Sequence, residues 1–573
     1  MEPSVETTPT SFGLTRETIA PDPSFGGQID SDKATSEIAY PRSWRLGLVT
    51  ASLCLGTLLV AIDTTIITVA VPKISTYFKA FEDIQWYGSA YLLTVTAFQP
   101  AFGSIYRYFS AKEVYLLSIL IFEAGSVLCA AAPSSSVFIV GRAVAGIGAA
   151  GLYQGALAVV GLTVELTKRP LYLGIVLSVF GIAVCFGPPL GGVFTDHSSW
   201  RWCFWINLPI GAVSTTLVVA FLRIGKQGQV KSLPWQKRLR KLDLLGITAI
   251  VGAVTCLILA LQWGQQSGHW GQSKVIGAFV GALLLVAAFG FVQWKKENSA
   301  TIPLRILGQR SIFMGAAYLF FLEMAIYVDL FYIPFYFQSA QLISATSSGV
   351  KAMPLGLAQI VAIVVVGAFA TRWGYYVPYM VLGQIVAIIG TVLLTRISIT
   401  TPYPVIAVYL VISGIGFGMG LQMPFTGVQA VLSDDEVPIG NAIMIFFSQL
   451  GAAIAIAIAQ SVLSTSLQRD ITRKLHNPEV GHLDPALVLG AGPTGLKAFT
   501  HDPAILKFLQ DCYADAVRNT LFVALATAAV AVPFALGMQW LNVKKIDKAT
   551  RERGNMASRP CNQDLVSDTE KPA

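Results

Sequence analysis

Fourteen apolar runs of about 20 to 28 residues divide this chain, each bounded by short polar or charged segments. They lie near 46–71, 86–106, 113–132, 136–160, 171–195, 203–222, 243–263, 274–294, 311–337, 350–370, 376–396, 404–431, 439–463 and 517–540. About 20 apolar residues cross the roughly 30 Å of bilayer hydrocarbon as a helix. Lipid offers no partner to backbone N–H and C=O groups, so the pattern predicts fourteen membrane helices. The fifth run is the most informative, because it contains Gly174, Gly181, Gly187, Pro188, Pro189, Gly191 and Gly192. In lipid such breakers survive where neighbouring helices re-satisfy the backbone and small residues permit close approach. The run predicts a helix built to bend and pack, and hence a protein that moves: a transporter rather than an anchor.

Composition supports a membrane protein. Charged residues make up 13% of the 573, against roughly 25% in soluble domains. The net charge of +8 does not point to nucleic acid, since the cations sit in short loops between apolar runs. With a cytoplasmic N-terminus, 27 of the 40 Lys and Arg fall on the cytoplasmic side, 12 on the other, and Arg142 within a run. Both termini are therefore expected inside. Residues 1–44 are polar, lack a signal-peptide core, and read as a disordered cytoplasmic tail, as does the tail within 541–573. The basic loop beginning at Arg223 reads as a topological signal with secondary attraction to anionic lipid. Residues 464–516 form the one sizeable outer loop, ending in an amphipathic stretch over 503–515. The seven cysteines form no CxxC pair, Asn-x-Ser/Thr is absent, and no metal-ligand spacing, phosphate loop or nucleophile emerges. An enzyme, a cofactor, a metal site and a glycosylation site are accordingly not expected.

A weak repeat runs through the pattern. Gly146, Gly148, Gln154 and Pro170 recur as Gly414, Gly416, Gln422 and Pro438, each displaced by 268 residues. The offset lays the fourth run over the twelfth. It predicts two parallel six-helix halves, 45–222 and 311–540, with the basic loop and two inserted helices (223–310) between them.

Several motifs now resemble the major facilitator superfamily, in particular its fourteen-helix drug:proton antiporters. AIDTTIITVAVPKI (Ala61 to Ile74) looks like the first-helix motif, with Asp63 and Pro72 in place. IVGRAVAGIGAAG (Ile139 to Gly151) is similar to the fourth-helix motif, with Arg142 and Gly146. Gly174, Gly187, Pro188, Gly191 and Gly192 match the antiporter motif of helix 5, although Ala183 stands where the pattern usually has glycine. The loop GSIYRYFSAKEVY (Gly103 to Tyr115) lacks the aspartate and second glycine of the family's gating motif. With the ninth run ending YIPFYFQ, this resembles fungal pumps that export toxins and secondary metabolites. The resemblance implies a monomer in the plasma membrane, or in a vacuolar or vesicle membrane. Protons and a small amphipathic organic molecule would be its partners. Two other readings stay open: a proton-coupled importer of a nutrient or iron chelate, and a non-transporting sensor.

Ionisable groups at membrane depth are costly and face a cavity or a partner. Asp63, followed by Thr64, Thr65 and Thr68, and Arg142 form a candidate proton-coupling pair; the alternative is a permanent structural salt bridge. Glu123, Glu323 and Asp329 are further proton candidates, because protonation makes a carboxyl far cheaper to bury. Asp329 shares a helical face with Tyr332 and Tyr336, and Glu323 one with Tyr327; these are expected to line an aromatic cavity. Gln154, Gln422 and Gln449 are candidates to hydrogen-bond the substrate, with interhelical bonding as the alternative.

Overall fold

The computed structural model describes residues 43–80, 83–223, 234–267, 270–474 and 502–557. The tail over 1–42, the central part of the basic loop (224–233), residues 475–501 of the outer loop and residues 558–573 lie outside the described residues. The described long helices belong to one compact unit spanning Tyr40–Glu552. Fourteen long helices cover the predicted runs: α1 (Ser43–Phe78), α2 (Ile84–Tyr108), α3 (Ala111–Ala130), α4 (Ser135–Thr163) and α5 (Arg169–His197). There follow α6 (Trp202–Phe221), α7 (Leu244–Ser267), α8 (Ser273–Lys296), α9 (Arg310–Ser339), α10 (Ala345–Trp373) and α11 (Val377–Leu394). The set closes with α12 (Tyr403–Val431), α13 (Val437–Lys474) and α14 (Pro503–Gly537).

Thirteen of these are long and apolar enough to cross a membrane. The exception, α2, has 25 residues, about 37 Å at 1.5 Å per residue. Its length suffices, but Gln99, Thr94, Thr96 and Ser104 dilute its apolarity, and all four are buried against other helices. The outer loop is shorter than expected, because α13 continues to Lys474 and the amphipathic stretch from Pro503 is continuous with α14. The carboxy-terminal tail also departs from expectation: α15 (Val543–Ala557) is helical. The Asn542 side chain accepts from the Lys544 and Lys545 N–H groups and so caps its first turn. Val543 N–H donates to the Gly374 carbonyl, where Gly374 takes the left-handed conformation (φ 80°) that ends α10.

The 268-residue repeat is visible in the packing. Helix α4 packs on α2 and α3, as α12 packs on α10 and α11. Helix α1 packs on α5 and α6, as α9 packs on α13 and α14. Glycine permits the matching contacts: a Cβ at Gly148 would strike the Phe122 backbone of α3, and one at Gly416 the Ala387 backbone of α11. The two helix sets meet along two seams, α5 on α10 and α2 on α13, themselves related by the repeat. The inserted helices break this symmetry. Helix α7 lies over the α2/α13 seam, where Ile250, Val254 and Ile258 join Ala97 and Phe446, and α8 packs on α7.

Asp243 ties the base of this inserted pair. It accepts from Gly246 N–H (2.9 Å), Gln293 Nε2 (2.7 Å) and Thr301 Oγ1 (3.2 Å), and pairs with Lys296 at 2.9 Å. Burial pushes its carboxyl up, but the Lys296 ammonium and these hydrogen bonds outweigh it and hold the group below the usual carboxylate range.

Candidate functional site

Asp63 and Arg142 meet inside the first helix set. Arg142 Nη1 donates to Asp63 Oδ2 at 2.5 Å, and both side chains are almost fully buried (1% and 0% exposed). Arg142 Nε also donates to the Tyr87 carbonyl (2.8 Å), and the guanidinium lies 4.4 Å from the Tyr91 ring centre. Three helices thus fix the cation: α1 through the carboxylate, α2 through a carbonyl and an aromatic face, and α4 through its backbone. The other Asp63 oxygen has no hydrogen-bond partner among the described residues. The flanking threonines are less available than their spacing suggests. Thr64 Oγ1 donates to the Val60 carbonyl and Thr65 Oγ1 to the Ala61 and Ala183 carbonyls. The Thr68 side chain lies outside what is described. Glu123 of α3 is within electrostatic range of Asp63. Both its oxygens are buried without a partner among the described residues, and Oε1 occupies the space that a Cβ at Gly211 of α6 would need.

A second group lies between the two helix sets. Glu323 accepts from Ser448 Oγ of α13 at 3.1 Å. Tyr153 of α4 lies close enough to Glu323 and Tyr327 for electrostatic interaction, and Tyr91 of α2 likewise to Tyr327. Tyr153 packs on Phe180 of α5 (5.1 Å between ring centres) and Tyr327 stacks on Phe331 (6.2 Å). Gln449, next to Ser448 on α13, is half-buried. Five helices therefore bring one carboxylate and several aromatic rings to the centre of the molecule.

Asp329, Tyr332 and Tyr336 do not join this lining. Asp329 is fully buried and accepts from Ser413 Oγ of α12 at 3.3 Å. Tyr332 donates to Gln460 Oε1 (3.1 Å) and Tyr336 to the Ser398 carbonyl (2.8 Å). The reason is helical phase: two residues turn the chain by about 200°, so Asp329 faces away from Tyr327. Gln154 and Gln422 also serve another purpose. Gln154 Nε2 donates across the seam to the Pro438 carbonyl at the start of α13 (2.5 Å). Gln422 Nε2 donates to the Ile363 carbonyl of α10 (2.8 Å), beside Gly174 of α5. The interhelical alternative describes both.

The breakers of α5 divide by position, and the helix runs unbroken through Pro188 and Pro189. A Cβ at Gly174 would meet Gln422 and the Ile363 carbonyl, and one at Gly181 would meet Ile360; these two face the second helix set. Gly187 and Gly191 face α1, where a Cβ would strike Thr65 and come within 2.6 Å of the Ile66 carbonyl. Gly192 faces open space and Pro188 is half-buried. At the membrane face where α1 begins, Arg169 Nη2 pairs with Asp434 at 3.3 Å across the seam, and Arg305 pairs with Glu436.

Tyr87, Tyr91 and Ser448 escaped the sequence reading. Tyr87 and Tyr91 stand one turn apart on α2, a helical spacing that marks a shared face, but Tyr87 acts through its carbonyl, which sequence does not flag.

A sequence model of the Major Facilitator Superfamily matches residues 53–456. The MFS-type efflux pump MFS1 of Arthroderma benhamiae is 43% identical over 507 residues, covering 88% of this chain and 94% of that protein. The aspyridones efflux protein of Neocamarosporium betae is 40% identical (89% and 90% covered), and efflux pump aflT of Aspergillus parasiticus 36% (90% and 99%). Among solved structures, the proton:xylose symporter XylE superposes with a TM-score of 0.54 at 13% identity, covering 88% of this chain and all of that one. The human organic anion transporter MFSD10 gives 0.53 at 14% identity, covering 85% and 100%.

Proposed function

Because this chain belongs to the major facilitator superfamily, we propose that it is a membrane efflux pump, exporting a small amphipathic toxin or secondary metabolite in exchange for protons. The observation that carries the reading is the pairing of two features. One is a buried Asp63–Arg142 ion pair; the other is a carboxylate, Glu323, set among Tyr153, Tyr327 and Tyr91 between the two helix sets. A chain of this family is a transporter rather than an enzyme, and aromatic walls with one polar anchor suit a large, partly apolar cargo.

On this reading the face where α1 begins is cytoplasmic, both termini are inside, and the pump acts as a monomer in the plasma membrane. Arg169–Asp434 and Gln154–Pro438 then close the cytoplasmic side and must part when the cavity opens inward. Protonation of Asp63 removes half of the ion pair that joins α1 to α4, changing the relative stability of the two conformations. Glu123, near enough to sense that charge, is a second proton station. Gly187 and Gly191 hold α5 against α1, while Gly174 and Gly181 let it move along the opposite set. Pro188 leaves the neighbouring helix turn short of one hydrogen bond.

The test is export of rhodamine 6G, a fluorescent amphipathic cation, from proteoliposomes carrying the purified protein. An imposed gradient, acid on the outer side, is expected to drive the dye out against its concentration, and nigericin to abolish this. Gradient-driven dye accumulation would favour the importer, and transport indifferent to nigericin would remove proton coupling.

A further inference from the structure

The α2/α13 seam carries polar side chains that the closed arrangement does not satisfy. Gln99 of α2 and Asn441 of α13 are each fully buried, and neither nitrogen nor oxygen of either amide has a hydrogen-bond partner among the described residues. Gln154 has its Oε1 free while its Nε2 bonds to the Pro438 carbonyl, and both polar atoms of the Gln429 amide are unpartnered. The placement is tight. A Cβ at Gly103 would touch Ala442 and come within 3.3 Å of the Pro438 carbonyl, so α2 and α13 approach backbone to backbone there. Gln99 stands one turn from Gly103 on the same face of α2, and Asn441 one turn from Pro438 on the same face of α13. A Cβ at Gly161 of α4 would lie 3.5 Å from Val437 and 4.0 Å from Gln429 Nε2, which places Gln429 beside the same end of α13.

A seam meant only to hold two bodies together would be apolar or fully bonded, because an unmet buried donor or acceptor carries its whole desolvation cost. Four amides along one seam, most of their atoms unmet, make the closed arrangement dearer than an apolar one. That cost is recovered when the seam opens and water or a solute bonds them.

We propose that Gln99 and Asn441, supported by Gln154, line the inward entry to the central cavity, where they offer the first hydrogen bonds to an entering polar-headed organic molecule. This rests on the export reading. Closure strips the amides of partners as the cargo moves on to the Tyr153–Glu323–Tyr327 group, so the empty entry is poised to reopen. The end that opens on this reading is the face where α1 begins, where Arg169 pairs with Asp434 between α5 and the α12–α13 loop. Gln99 and Asn441 act through the seam and the entering solute and are not proton carriers.

The experiment uses the full-length protein with Gln99→Met and Asn441→Leu, which remove bonding capacity at similar side-chain length, and Asn441→Ser, which keeps a polar group. Each apolar variant is expected to raise the melting temperature in detergent and to lower the maximal rate of rhodamine 6G export about tenfold. Asn441→Ser is expected to retain the wild-type rate within about twofold. A melting temperature that fails to rise in either apolar variant, or a maximal rate unchanged in both, overturns the proposal. A wild-type protein that exports no dye counts against the export reading instead, and the melting temperatures still decide whether the amides are unmet in the closed seam.

Discussion

Replacing Asp63 by asparagine separates charge from shape at the buried ion pair. The asparagine oxygen can still accept from Arg142 Nη1, so what is lost is the negative charge. Removing one partner of a buried pair costs about 3–5 kcal/mol, because the surviving charge is left uncompensated. Here Arg142 retains its bond to the Tyr87 carbonyl and its position 4.4 Å from the Tyr91 ring centre. A desolvated cation over an aromatic ring is held by about 2 kcal/mol, so the loss is expected at the lower end, about 3 kcal/mol. If the two conformations share that loss unequally, their ratio changes by up to about a hundredfold. The protein is still expected to reach the membrane, since the helix packing around the pair is apolar and continuous. The assay compares two modes in proteoliposomes. In the wild type, one exchanged proton per cargo molecule sustains at most about a tenfold concentration ratio per pH unit. The Asp63→Asn variant is expected to sustain none, yet to exchange labelled for unlabelled dye with no gradient imposed. Undiminished uphill export by the variant would remove Asp63 from the coupling step.

Two further outcomes follow from packing and charge. Gly191→Ala places a methyl 2.6 Å from the Ile66 carbonyl, and overpacking of that kind costs about 1–3 kcal/mol; a lowered melting temperature and weakened export are expected, whereas Gly192→Ala, facing open space, is expected to be neutral, and equal behaviour of the two would refute the assignment of faces. Asp243 is held below the usual carboxylate range, so its contribution to stability is present above about pH 4 and is lost as pH falls through its folded value. Asp243→Asn is expected to lower the melting temperature at neutral pH and to flatten the wild type's acid-side decline; an unchanged acid profile would show that the Lys296 pair contributes nothing.

The membrane helices were legible in the sequence because bilayer thickness and the need for internal backbone bonding leave few alternatives to a long apolar run. The duplication was legible in four residues, since glycine at Gly148 and Gly416 is required wherever helix backbones touch. Asp63 and Arg142 were also legible, because a charge at membrane depth demands an opposite charge. Tertiary structure decided the rest. The phase of α9 turned Asp329 inward to Ser413 and left Glu323 and Tyr327 facing the centre, a difference that residue spacing could describe but not orient. It divided the breakers of α5, giving Gly187 and Gly191 to α1 and Gly174 and Gly181 to the opposite helix set. It also placed Gln154 in a bond across the seam to α13 and Gln422 in a bond to α10 within the second helix set. A sequence records which residues share a helical face; which neighbour that face meets is fixed only when all the helices pack, because these contacts join residues from 59 to 284 positions apart.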